Sequence, residues 1–126
     1  MTRTLFLIAI FISLSFASFA QAEHLESEDF QQRLGKNGAQ LIDVRTSEEF
    51  AKGHLAGAKN IDWLEDGFME KANKLDKTKP VLLYCAASGR SEEALTAMQE
   101  AGFKLAVDLK HGYNGWKRAN LPTTTK

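Results

Sequence analysis

Cysteine is almost missing from this chain: Cys85 is the one copy in 126 residues. A lone cysteine excludes an internal disulfide, a C-x-x-C redox pair and a thiolate-rich zinc site. Histidine is scarce too, and His24, His54 and His111 are spaced unlike any pair of metal ligands. No metal or other resident cofactor is expected. Excess charge is absent, since 16 Lys and Arg offset 16 Asp and Glu. Nothing therefore draws the chain to nucleic acid or to an anionic membrane. Repeats, low-complexity blocks and interdomain linkers are lacking as well. The longest apolar run falls short of the roughly 18–20 residues that span a bilayer.

What is present begins with that run. Arg3 supplies a positive start, Leu5 to Ala17 is apolar apart from Ser13 and Ser15, and Ala20-Gln21-Ala22 precedes Glu23. Charge, apolar stretch and small residues in this order read as a cleaved secretory signal over residues 1–22, with Ala20 an alternative cleavage point. The mature chain, residues 23–126, is then one domain of a size that folds without staples. It is expected in the periplasm, free of the membrane after cleavage. An oxidising compartment makes a single thiol unusual. Cys85 is thus inert and buried, an intermolecular link, or reactive. Its glycine, serine and arginine neighbours favour reactivity over apolar packing.

Along the mature chain, strands alternate with helices. Glu26 to Leu34 is predicted helical, Gln40 to Val44 a strand, and Thr46 and Glu49 have capping-box spacing at a short helix that Gly53 stops. Lys59 to Ile61 is extended, Glu65 to Leu75 helical, and Val81 to Tyr84 a strand buried on both faces. Ser91 to Ala101 is a helix ended by Gly102, Leu105 to Leu109 a strand, and Gly112 to Ala119 a last helix before a loose Thr-rich tail. The alternation predicts an α/β fold: a parallel sheet with helices on both faces.

Ligands of such sheets gather beyond the carboxyl ends of the strands. Cys85 stands at one. Ala86, Ala87, Ser88 and Gly89 are small enough for the backbone to curl, so that successive N–H groups converge as a nest. Gly89 permits a positive φ there. Arg90 closes the loop, and the next helix begins at Ser91. Amide hydrogens, a helix N-terminus and a guanidinium all favour negative charge, so Cys85 is expected to be ionised and nucleophilic.

Three stretches carry a resemblance. LIDVRTSEEFAKGHLAGAKNI, Leu41 to Ile61, is similar to the first conserved segment of the rhodanese-like sulfurtransferases. VLLYCAASGRS, Val81 to Ser91, resembles their active-site strand and loop, and LKHGYNGW, Leu109 to Trp116, their closing segment. The order and spacing match over most of the mature chain, and the export signal resembles the exported single-domain bacterial form. The resemblance implies a five-stranded, mainly parallel sheet. It implies a thiosulfate sulfurtransferase in which Cys85 becomes a covalent persulfide and passes its sulfur to a thiophile such as cyanide. Ala86, Ala87, Ser88, Gly89, Arg90 and Ser91 would bind the donor. A small-molecule donor and acceptor are implied, with a sulfur-relay protein as a further partner. The chain departs from the pattern at Ser88, where relatives carry glycine, at Ala86, which is no bulky cation, and at Asp62 and His111.

Other residues have plainer readings. Asp43 and Arg45 are expected to hold the fold, Glu49 to cap its helix or pair with a base, His54 to pack, and His24 to be solvated. Trp63 and His111 are candidates to line the pocket. Arg90 has a surface alternative, an ion pair with Glu93 or Asp66. Ser91 either donates to the bound anion or only caps its helix. Rival functions are a cysteine phosphatase or arsenate reductase and a non-catalytic binding module of the same fold. Phosphatase loops place five residues between cysteine and arginine, and this chain has four, Ala86 to Gly89.

Overall fold

The structure, a computed structural model, describes residues 23–126. The signal segment read over 1–22 lies outside the described residues. Val81–Tyr84 is apolar throughout, and an apolar strand is stable only where both faces are covered. It forms β4 at the centre of a five-stranded sheet, with all four residues buried. Around it lie β1 (Glu23–Leu25), β2 (Gln40–Asp43), β3 (Lys59–Asn60) and β5 (Ala106–Leu109), in the order β1-β5-β4-β2-β3. Every pairing is parallel, with Ile42 opposite Leu83, Leu82 opposite Val107 and His24 opposite Asp108.

Successive side chains of a strand point to opposite faces, so each strand feeds two cores. Ile42, Val81, Leu83 and Ala106 pack beneath α3 (Phe68–Ala72) and α4 (Gly89–Glu100), against Phe68, Leu95 and Met98. Leu41, Leu82, Tyr84 and Leu109 pack beneath α1 (Ser27–Arg33) and α5 (Gly112–Arg118), against Phe30 and Trp116. The short α2 (Ser47–Lys52) buries no residue; the expected capping box of Thr46 and Glu49 holds its start.

Four expectations change. The strand β1 was not legible, being three residues of which only Leu25 is buried. The helix over 65–75 shrinks to Phe68–Ala72, because Gly67 enters it in a left-handed conformation. The helix after Cys85 starts at Gly89 rather than Ser91, so Arg90 lies inside its first turn. The tail is not loose. The Trp116 indole donates to Pro122 O at 2.9 Å, and His54 and Thr124 exchange two backbone hydrogen bonds of 2.8 Å.

Candidate active site

β2 and β4 are neighbours, yet the chain leaves them in opposite directions, β2 toward β3 and β4 toward β5. The crevice between their carboxyl ends is the topological switch point, where such folds bind ligands. Val44 N donates to Tyr84 O at 2.9 Å across it, and Cys85 is the next residue. A groove of about 750 Å³ lined by Arg33, Lys36, Pro80 and Lys104 lies at the other, amino-terminal end of the strands. It holds no cysteine, serine, threonine or histidine.

Cys85 differs from expectation in one respect. It is 1% exposed and belongs to the apolar cluster with Val44, Ile61 and Leu83. The alternation of β4 causes this, since position 85 shares the face of Val81 and Leu83. Its polar contact is Ser91, with the thiol donating to Oγ at 3.4 Å.

The loop is held in place by α5. Tyr113 N donates to Cys85 O at 2.8 Å and Asn114 N to Ala86 O at 3.0 Å. In a trans peptide the following N–H points opposite the carbonyl. The amides of Ala86 and Ala87 are therefore turned away from α5. Gly89, Arg90 and Ser91 open α4, where N–H groups lack helical acceptors, and the Ser88 side chain caps none of them. No N–H from Ala86 to Ser91 donates to an acceptor among the described residues. These uncommitted donors suit an anion.

The glycine that matters is not Gly89, whose φ is not positive and around which there is open space. It is Gly112, at φ +60, packed against the loop. A Cβ there would stand 2.5 Å from Ala87 O and 2.6 Å from Cys85 O. Sequence reasoning missed it because the close approach joins residues far apart in the chain.

Arg90 pairs with neither Glu93 nor Asp66. Its guanidinium grips Glu49 through two bonds, of 2.7 and 3.1 Å. Arg90 holds the Glu49 carboxyl down at about 2, against partial burial, with Thr46 adding to the effect. Glu49 raises Arg90 in turn, outweighing desolvation, and the nearby Cys85 sulfur and Asp62 add to this. The cation is thus tethered to α2 at the start of α4.

Beneath, on the other face, Asp43 and Arg45 form a buried ion pair, as expected of fold-holding residues. Arg45 Nη2 lies 2.6 Å from Asp43 Oδ2 and 2.7 Å from Gly53 O, with its guanidinium 4.1 Å from the Tyr113 ring centroid. Burial pulls Arg45 down, but the Asp43 carboxylate outweighs it and Arg45 is raised. Burial, then Asp43, pushes the Tyr84 phenol well above its usual range. The pair ties β2 to α5 and so to the loop.

His54 packs, stacked on Phe50 at 3.7 Å with its ring nitrogens near Phe50 O and Lys126 O. Trp63 donates to Glu93 Oε2 at 2.8 Å, beside the start of α4. His111 is half-exposed and faces Glu26 at 3.4 Å. Ser91 is the third residue of α4, not its cap, and its hydroxyl lies 2.8 Å from Asp108 Oδ2. Asp108 and its neighbour His24 were not foreseen as site residues, although a carboxylate within the apolar run Ala106–Leu109 is itself a signal.

Comparison with known proteins agrees with this geometry. The description "Rhodanese-like domain" matches residues 26–119. The chain is 36% identical over 116 residues to the uncharacterized protein YqhL of Bacillus subtilis, covering 89% of each. It is 31% identical to thiosulfate sulfurtransferase 18 of Arabidopsis thaliana, covering 91% of this chain and 95% of the relative. A rhodanese-related protein from Thermoplasma volcanium superposes with a TM-score of 0.74 at 23% identity, over 82% of this chain and 99% of that one.

Proposed function

The chain belongs to the rhodanese-like family, and from that membership we propose that it is a thiosulfate sulfurtransferase. Cys85 Sγ attacks the outer sulfur of thiosulfate. A sulfur–sulfur bond forms to Cys85 as the one to the sulfonate sulfur breaks, sulfite leaves, and a persulfide remains. A thiophile, cyanide or a thiol, then takes the outer sulfur and releases Cys85. The carrier is covalent, so no cofactor is needed.

One observation supports this most. The lone cysteine ends the central strand at the switch point, and the amides that follow it, Ala86 to Ser91, donate to no acceptor among the described residues. Ala86, Ala87, Ser88, Gly89 and Ser91 present backbone donors to the anionic sulfur, and Arg90 favours the sulfonate. Such fixed dipoles need no reorganisation as charge moves. The loop before α4 is only Ala86 to Ser88, a narrow cup that suits one sulfur atom better than a phosphate. Arabidopsis and Coxiella burnetii relatives named thiosulfate sulfurtransferase point the same way. The segment before Glu23 supports export, so the donor and acceptor, or a relay protein, would be met in the periplasm.

Intact mass is the test. Thiosulfate should add about 32 Da to the wild type, cyanide should remove it, and Cys85→Ser should take up nothing. A wild type without the adduct refutes the reading.

A further inference from the structure

Asp108 is fully buried, and nothing in the reaction above uses it. Its Oδ2 accepts from Ser91 Oγ at 2.8 Å, and its Oδ1 lies 2.7 Å from His24 Nδ1. The parallel pairing of β1 with β5 sets His24 opposite Asp108, and the first turn of α4 sets Ser91 over it. Ser91 Oγ also lies 3.0 Å from Ser88 O. One hydroxyl hydrogen cannot serve both acceptors fully, and the carboxylate is the nearer and the stronger. With that hydrogen on Asp108, Ser91 offers Cys85 a lone pair. The contact runs accordingly, from the thiol to Ser91 Oγ at 3.4 Å. Four side chains thus form one line from a buried sulfur to His24, a third of whose side chain is exposed.

We infer that Ser91 and Asp108, held by His24, are a proton relay for the Cys85 sulfur. As Sγ attacks, its proton passes to Ser91 Oγ while the Ser91 proton passes to Asp108 Oδ2. The sulfur electron pair makes the new sulfur–sulfur bond, and sulfite carries off the electrons of the broken one. The line is then reversed. Asp108, now a neutral acid, donates to Ser91, and Ser91 donates to the sulfur anion. When the acceptor removes the outer sulfur, the two protons return and the Cys85 thiol is restored. His24 Nδ1, 2.7 Å from Oδ1, holds the Asp108 carboxyl in line with Ser91. The sulfur is 1% exposed, so an internal proton acceptor has a purpose.

The charged groups around this line are few. His24 faces it from β1. Arg90 faces the sulfur from α4, tied to Glu49 on α2, with Asp62 nearby in the loop after β3. Lys110 and Glu26 pair with each other at 2.9 Å just past the ends of β5 and β1. Asp43 and Arg45 lie on the other face of the sheet.

The relay rests on the sulfurtransferase reading for its electrophile, but iodoacetamide tests it without a sulfur donor. Alkylation of Cys85 and single-turnover loading from thiosulfate are followed by intact mass from pH 6 to pH 9. The wild type should show rates that change little with pH. Asp108→Asn and Ser91→Ala should be slower by about 100-fold at pH 6, rising about tenfold per pH unit as the thiol must ionise into water. Ser91→Thr, which keeps the hydroxyl, should keep the flat profile, and His24→Leu should fall between. A lesion of packing alone would lower every rate equally, without the slope. If Asp108→Asn does not fold, the contrast between Ser91→Ala and Ser91→Thr decides. A tenfold slope in the wild type, or flat profiles in Asp108→Asn and Ser91→Ala, overturns the relay. Normal alkylation profiles with no sulfur adduct would instead sink the sulfurtransferase reading and leave the relay standing.

Discussion

Gly112→Ala should damage stability and turnover together, because one backbone contact serves both. Gly112 has φ +60, where an L side chain costs about 1–2 kcal/mol. The added Cβ would meet Ala87 O at 2.5 Å, Cys85 O at 2.6 Å and Ala86 C at 2.7 Å. All three are backbone atoms and cannot swing aside, so the loop must move by roughly 1 Å to regain ordinary contact. That movement weakens the hydrogen bonds from Tyr113 N and Asn114 N to the loop carbonyls, each worth about 1 kcal/mol. The total is roughly 3 kcal/mol, or a fall of about 15 °C in Tm for a domain of this size. The same 1 Å displaces the sulfur and its amides from the donor, and misplacement on this scale lowers rates about 100-fold. Thermal unfolding followed by circular dichroism reads the first effect, and thiosulfate–cyanide turnover well below the new Tm reads the second. A Gly112→Ala protein with wild-type Tm and turnover would refute the claim that α5 shapes the loop. Lost stability with full turnover would show that the loop tolerates the shift.

Glu49→Gln tests the tether on Arg90. Glu49 titrates at about 2 in the folded protein against an ordinary 4.5, so its stabilisation is complete above 4.5 and fades as pH falls through 2. Arg90 and Glu49 are 23% and 34% exposed, and screening limits the pair to about 1 kcal/mol. Urea midpoints should therefore separate wild type and Glu49→Gln at pH 7 and converge toward pH 2; a constant gap would contradict this. Arg90→Ala should raise KM for thiosulfate about tenfold, the loss of one charge-assisted contact. Unchanged steady-state kinetics would remove Arg90 from the site. Removal of residues 122–126 should lower stability by about 2 kcal/mol, since Pro122 O and Thr124 bind Trp116 and His54. An unchanged denaturation midpoint would mean the tail is not held.

Much of this was legible in the chain. The apolar run Val81 to Tyr84 demanded a covered strand, and the lone cysteine after it marked where chemistry sits. The Thr46–Glu49 box declared itself at a spacing of three residues. The misses share a cause. β1 is too short to show a period, and Gly67 bars the two residues before it from a helix whose apolar positions begin at Phe68. Tail order comes from Trp116 and from His54, and the latter lies far from the tail in sequence. Arg90 was given the wrong alternative partners because Glu49 lies 41 positions away. Burial of Cys85 was misjudged from its sequence neighbours, although strand alternation alone placed it with Leu83.

Local chemistry, then, fixed what kinds of element form and which residue carries the sulfur, because periodicity, caps and a unique thiol are properties of short stretches. Only folding decided what surrounds that thiol. Parallel pairing brought His24 and Asp108 side by side, α4 laid Ser91 over them, and α5 pressed Gly112 against the loop. Those neighbours come from four separate elements, and their meeting depends on strand order and register, which no short stretch of sequence encodes.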